Sequence, residues 1–243
     1  MSTLVDRIEY KDYTVEVHQD EEPTNPREWD NLGTMVCEHR RYNLGDVQGN
    51  ALETMVELLE PYCGDTFAWE CWDCRWEDTE DHADAIVKAF DKHFLWLPLY
   101  LYDHGGISMS ATMRYPFTDP WDAGQVGIIY IDKRKACEEY HYKIMTATLR
   151  EGVFGYLYNE VQVYDWYLRG GVYGYEITDP QGEFVDSCWG YYGPDNEKSG
   201  LLEDVQGRVD YEIEHRRQTH ADYLKGAIRG RVPLQYRQAF VGV

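Results

Sequence analysis

Two apolar stretches in the middle of the chain constrain the fold most strongly. Residues 96–104 read WLPLYLYDH and residues 125–132 read QVGIIYID, and both are dense in the aliphatic and aromatic side chains that favour a central strand. Gly105-Gly106 follows the first stretch, and ISMS at 107–110 resumes the same character. The two stretches therefore predict central strands, with a third strand joined through a turn at Gly105-Gly106.

The period of the hydrophobic pattern predicts the other elements. Alternation at 13–20 predicts a strand, and 32–40 is predicted to return beside it as a β-hairpin with a long acidic tip. Asn50 is expected to cap the helix that follows it, and Pro61 to end that helix. The remaining predictions are helices at 51–60, 79–94, 133–142 and 145–168, a hairpin of 171–178 with 183–193, and a mostly helical tail from 197 to 229.

Strands and helices do not alternate regularly along the chain, which argues against a doubly wound parallel sheet. The order predicts an α+β fold with a largely antiparallel mixed sheet, packed with helices and followed by a C-terminal helical tail. We expect residues 1–195 to form the main domain and residues 196–243 to form a relatively basic helical extension.

No stretch approaches the ~20 apolar residues that cross a bilayer, and the first residues carry charges where a signal peptide has an apolar core. These features predict a cytoplasmic protein with no membrane partner. Six cysteines spread over 243 residues do not indicate a disulfide framework, so free buried thiols are expected.

The chain is strongly acidic, with 23 Lys and Arg against 44 Asp and Glu for a net charge of −21. The excess is greatest in residues 1–100, which carry 8 basic and 23 acidic residues, whereas residues 205–243 carry 7 and 4. A negative field of this size disfavours direct binding to nucleic acid and favours a basic protein surface as the partner. The alternative is that the charge simply keeps the protein soluble.

Two acidic clusters are the predicted partner-binding residues. The first comprises Asp20, Glu21 and Glu22, and the second comprises Glu77, Asp78, Glu80 and Asp81. Ordered carboxylates on one face would present charges to a basic groove in the way that phosphates do, whereas scattered ones would form an ordinary solvated surface.

An enzymatic interpretation centres on Asp103 and His104, because they end a predicted central strand and precede two glycines. His104 would act as a base in a pocket with Asp103, Asp122 or Asp186, beneath Trp121 and Trp189. The same residues around 103–106 are also typical of an ordinary hairpin turn. Familiar nucleotide-binding and zinc-protease motifs are absent from the sequence, and no cofactor is predicted.

Cys71-x-x-Cys74, with Cys63 eight residues earlier, is half of a zinc-binding pattern. A structural zinc site requires four ligands, and no second pair at a familiar spacing follows. Buried cysteines are therefore expected here, with Cys63, Cys71 and Cys74 as the alternative metal ligands.

Three motifs resemble a group of uncharacterised acidic proteins of phages, plasmids and prophages. They are LPLYLYDHGGISM at 97–109, WDAGQVGIIYI at 121–131 and DSCWGYYG at 186–193, and the resemblance spans about residues 10–195. By analogy with antirestriction and anti-CRISPR proteins, it implies a non-catalytic inhibitor in the host cytoplasm that binds a defence nuclease or another nucleic-acid-binding protein, including by nucleic-acid mimicry. The alternatives are a hydrolase-like enzyme centred on His104 and a phage structural or assembly protein, for which a homo-oligomer would be the first sign.

Overall fold

A computed structural model describes residues 3–63, 79–117, 121–231, 233 and 236. The chain divides into two compact units. We call residues 22–171 the central unit, and residues 1–21 with 172–243 the terminal unit. The predicted boundary at residue 195 differs from this division, because the hairpin at 172–192 and the helix after it belong with the N-terminal strands.

In the central unit, the strands are β3 (Thr34–Cys37), β4 (Val47–Gln48), β5 (Phe94–Asp103), β6 (Ile107–Ala111) and β7 (Ala123–Asp132). The helices are α1 (Ala51–Cys63), α2 (Thr79–His93), α3 (Lys133–Glu139) and α4 (Ala147–Leu168), with a 3₁₀ turn at Pro26–Glu28. The strands form one mixed sheet in the order β4-β3-β7-β5-β6, in which only the β3–β4 pair is parallel.

Helices of the central unit pack on both faces of this sheet. α4 presents a stripe of buried residues, Leu149, Val153, Leu157, Val161 and Tyr164, to one face. α1 and α2 pack together over the other face, where Phe90 and Phe94 stack at 4.2 Å between ring centroids. Burial on both sides explains why β5 and β7 read as nearly continuous apolar runs.

In the terminal unit, four strands form an antiparallel sheet in the order β1-β2-β8-β9. They are β1 (Leu4–Tyr10), β2 (Tyr13–Gln19), β8 (Val172–Thr178) and β9 (Phe184–Tyr192). Helix α5 (Leu201–Arg231) packs on one face through Leu201, Val205 and Val209, opposite Val15 and Val17 of β2 and Tyr175 and Ile177 of β8.

The α+β prediction is confirmed, as are the predicted helices and the hairpins at Gly105-Gly106 and at 179–182. The predicted hairpin of 13–20 with 32–40 is wrong. β2 pairs with β1 and β8, whereas β3 pairs with β4 and β7 in the other sheet. Hydrophobic periodicity identified both strands correctly, but it carries no information about which strand is the partner.

Pro61 does not end α1, which continues to Cys63 with the proline inside its last turn. A proline there removes only one helical hydrogen bond, so the final turn tolerates it. Asn50 caps the helix as expected, since its Oδ1 accepts from the Leu52 amide at 3.0 Å. Among the described helices, none is both long enough and apolar enough to cross a membrane.

Candidate functional site

The outer side of α1 carries an ordered row of carboxylates. Met55, Val56 and Leu59 are buried against the sheet and fix the rotation of the helix. Glu53, Glu57 and Glu60 are exposed, and their spacing of four and three residues places them on one helical face. We call these three residues the acidic ridge.

The acidic ridge is not neutralised by the part of the chain that the structure describes. α1 contains no Lys, Arg or His, and none of the three carboxylates forms an ion pair with a described residue. With a rise of 1.5 Å per residue, the three side chains span about 10 Å of the helix axis. The ridge therefore presents three closely spaced negative charges from a rigid element.

The acidic ridge does not serve the stability of α1 itself. Glu53 and Glu57 are like charges four residues apart, an arrangement that destabilises a helix by about 0.2–0.5 kcal/mol. Glu60 lies near the C-terminal end, where the helix dipole disfavours negative charge. Only Glu53, in the first turn, is favourably placed, so the row as a whole does not stabilise α1.

The predicted partner-binding clusters lie elsewhere. Glu21 and Glu22 are exposed and Asp20 is half-buried, in the segment that follows β2. Glu80 and Asp81 lie in the first turn of α2, whereas Glu77 and Asp78 lie outside the described residues.

Asp103, His104 and Asp122 are brought together because the end of β5 lies beside the start of β7. The Asp103 amide donates to the Asp122 carbonyl at 2.8 Å, extending the pairing of the two strands. His104 Nδ1 lies 2.7 Å from Asp122 Oδ2, and the Arg41 guanidinium pairs with the Asp103 carboxylate. The predicted grouping of these three residues is therefore present, with Arg41 as an unpredicted neighbour.

Arg41, Asp103 and Asp122 border an open depression of about 230 Å³, whereas His104 is not among its lining residues. The His104 side chain is 69% exposed, in a turn where Gly105 has a φ of 70°. The depression is lined by His39, Arg40, Arg41, Leu101, Asp103, Trp121, Asp122, Ala123, Gly124 and Val126. The described part of this lining contains no Ser, Thr or Cys nucleophile, so hydrolysis here would require an activated water molecule.

The structure does not assign Asp186 and Trp189 to this depression. Both lie on β9 in the terminal unit, where Asp186 Oδ2 is 3.4 Å from Arg208 Nη1. Trp189 lies against Gly174 of β8, where a Cβ atom would stand 2.3 Å from the indole ring. Within their own unit, the two residues serve an ion pair and a packing contact.

Another cavity of the central unit, about 360 Å³ in volume, lies beside α1 and is lined mainly by apolar and aromatic side chains. At its edge, the Tyr62 hydroxyl donates to the Asp132 carboxylate, and the Arg134 guanidinium lies 4.4 Å from the centre of the Tyr62 ring. These polar groups are engaged with one another, so they do not indicate a ligand.

The cysteines do not form a metal centre in the part of the chain that the structure describes. Cys63 is exposed at the end of α1, while Cys71 and Cys74 lie outside the described residues. Cys37 is buried, and burial raises the pKa of its thiol to about 12. Among the described residues, no group of three or more His, Cys, Asp or Glu side chains is arranged to hold a metal ion.

Comparisons with protein-family models, with curated proteins and with solved structures find no match. The functional argument therefore depends on the residues of this chain. The sequence predictions missed the acidic ridge, although the spacing of Glu53, Glu57 and Glu60 within a predicted helix was its available signal.

Proposed function

We propose that this protein is a non-catalytic inhibitor of a mobile element, which binds a basic surface on a nucleic-acid-binding or defence protein of the host. The acidic ridge on α1 is the proposed centre of the contact, and the partner-binding roles of Asp20–Glu22 and of the acids at 77–81 stay separate predictions. The observation that carries the proposal is an exposed row of three carboxylates with no ion-pair partner among the described residues.

The geometry of the ridge suits a surface that normally binds phosphates. Its three charges are about 5 Å apart along the helix axis, compared with about 3.4 Å for the phosphates of one strand of duplex DNA. A net charge of −21 also attracts a basic partner over distance and raises the association rate. The attraction at the contact and the attraction over distance both weaken as salt rises, because counterions screen exposed charges.

Affinity capture from bacterial lysate, followed by binding measurements with the purified captured protein, tests the proposal. The variant Glu53→Gln/Glu57→Gln/Glu60→Gln should bind that protein about tenfold or more weakly. Duplex DNA should compete with wild-type binding, since the proposed contact occupies a nucleic-acid-binding surface.

Glu138→Gln/Glu139→Gln/Glu151→Gln is the matched control, because it removes the same charge from exposed positions on α3 and α4. This variant should keep most of the affinity. Equal losses in the two triple variants would show that net charge alone drives binding, and would contradict a contact centred on α1.

One observation supports a hydrolytic function as the second candidate, namely the 2.7 Å contact between His104 and Asp122. In this proposal Asp122 orients the imidazole, which activates a water molecule. Wild-type protein would then hydrolyse a substrate in a panel of chromogenic esters and phosphodiesters, and His104→Gln would abolish the reaction. No turnover across the panel would argue against this candidate.

A further inference from the structure

Helix α5 changes character along its length. Its first four turns pack on the sheet of the terminal unit through Leu201, Val205 and Val209. Arg216 marks the end of this packing, since its Nη1 donates to Asp179 Oδ2 at 2.9 Å in the turn between β8 and β9. None of the helical residues from 214 to 231 is buried.

A helix in this situation gains stability from a partner, because most helical stability in proteins comes from packing an apolar face and no side chain of this segment is buried. Gly226 and Gly230 weaken this segment further, by about 1 kcal/mol each relative to alanine. Leu224 and Ile228 are nevertheless exposed here, at 44% and 39%.

The exposed segment carries a seam with the alternating three- and four-residue spacing of a coiled coil. Ala221, Leu224 and Ile228 form its apolar centre. The complete seam consists of Glu214, Arg217, Ala221, Leu224, Ile228 and Arg231. Such a seam suits another helix lying alongside.

The charges of α5 indicate which helix pairs with the seam and in which orientation. Residues 201–216 carry five acidic and two basic residues, whereas residues 217–231 carry one acidic and four basic residues. At the ends of the seam, a parallel copy in register would place Glu214 against Glu214 and Arg231 against Arg231, while an antiparallel copy can bring Glu214 of each chain beside Arg231 of the other. We propose that α5 pairs in antiparallel orientation with α5 of a second copy of this chain.

The seam is self-complementary in a single register. When Glu214 lies opposite Arg231 of the second copy, Ala221 lies opposite Leu224, so a small side chain meets a large one. Arg217 lies opposite Ile228, where its aliphatic stem covers the apolar residue. Among the described residues, Arg231 has no ion-pair partner within its own chain, and Glu214 has only Arg217, 4.0 Å away.

Sedimentation equilibrium of the full chain over a concentration series up to about 1 mM tests the pairing. The wild-type protein should approach twice its monomer mass of 28.6 kDa. Leu224→Glu, which places charge at the centre of the seam, should weaken self-association at least about tenfold. A wild-type protein that stays monomeric throughout the series would overturn the proposal.

A charge exchange tests the orientation and the register. Glu214→Arg places two arginines opposite each other at both ends of the pair, and Arg231→Glu does the same with two glutamates, so each variant alone should be monomeric. An equimolar mixture should form a heterodimer, because both contacts again join opposite charges. A mixture that stays monomeric would contradict this register.

Arg229→Glu is the control for the charge change, because residue 229 lies outside the seam on the same helical turn as Ile228 and Arg231. It should self-associate like the wild-type protein. A loss as large as that of Arg231→Glu would show that overall charge governs assembly, and would overturn the proposed seam. Because no residue of α1 is involved, the result is independent of the proposed binding of a basic partner.

Discussion

The sheets of the two units differ in how many faces are packed by helices of their own unit. The sheet of the central unit has α4 on one face and α1 with α2 on the other, whereas in the terminal unit α5 packs on one face. The strand sequences reflect this difference. In β7, residues 127–131 are all buried except Tyr130, while β2 alternates buried and half-buried residues. Strand pattern therefore reports how completely a sheet is covered.

The two units also differ in how deeply their ion pairs are buried. In the central unit, Arg27 is buried and pairs with both Asp46 and Glu160, while donating to the Gly33 carbonyl at 2.7 Å. In the terminal unit, the corresponding ion pair joins Asp179 to Arg216, which is about half exposed. The central unit thus depends on an interior ion network that the terminal unit lacks among its described residues.

The largest effect should follow loss of this network. Arg27→Ala leaves two carboxylates without their buried cation and should lower the free energy of unfolding by about 3–5 kcal/mol. Arg217→Ala, at an exposed arginine of the terminal unit, should change it by less than about 0.5 kcal/mol at protein concentrations low enough for a monomer. Urea denaturation measures both values. Equal losses would contradict the proposed difference between the buried network of the central unit and an exposed arginine of the terminal unit.

Two leucines of α5 allow a buried and an exposed position to be compared within one helix. Leu201 is completely buried and Leu224 is 44% exposed. Leu201→Ala should cost about 2–5 kcal/mol, because it removes core contacts and leaves a cavity. Leu224→Ala should cost less than about 0.5 kcal/mol at protein concentrations low enough for a monomer. A large loss for Leu224→Ala under those conditions would mean that this part of α5 packs within its own chain.

Two glycines of β7 test how tightly the central sheet is assembled. A Cβ atom on Gly127 would stand 1.9 Å from the Val36 carbonyl oxygen of β3, whereas one on Gly124 meets no atom within 4 Å. Gly127→Ala should therefore destabilise the protein by about 1–3 kcal/mol, as overpacking does in other cores. Thermal unfolding should show little change for Gly124→Ala, and the reverse order would contradict the β3–β7 register.

The smallest effect is confined to acid pH. The Glu183 amide, followed by the Arg216 guanidinium, holds the pKa of Asp179 below its ordinary value of 3.8. Stabilisation from this carboxylate is therefore complete above the ordinary value and is lost as pH falls through the lowered one. Between these pH values, the free energy of unfolding should change less with pH for Asp179→Asn than for the wild-type protein. Identical curves would show that Asp179 is not linked to acid unfolding.

Local structure was largely predictable from sequence, because hydrophobic period and capping act over a few residues. Strand β1 was missed. Its turn to β2 uses Lys11 and Asp12 with φ of 51° and 67°, so the glycine or asparagine that usually marks such a turn is absent. The pairing of β2 with β8 joins residues more than 150 positions apart, and no local signal specifies it.

Prediction of the candidate sites has the same limit, since contacts between residues far apart in sequence leave no local signal. His104 and Asp122 were predicted together, and they meet because β5 and β7 are neighbours in the sheet. Asp186 was grouped with them only because it lies beside a predicted strand and close to a tryptophan, and it belongs to the other unit. No local pattern marks Arg27, because its partners Asp46 and Glu160 lie 19 and 133 positions away along the chain.

Photocrosslinking most directly tests the central claim that the outer side of α1 contacts a basic partner. A photoreactive residue in place of Glu57 should crosslink to the captured host protein, and high salt should reduce the yield because it screens the contact. The same residue in place of Glu138 on α3 should give little product. Equal crosslinking from both positions, or none from position 57 while binding persists, would contradict the proposed site.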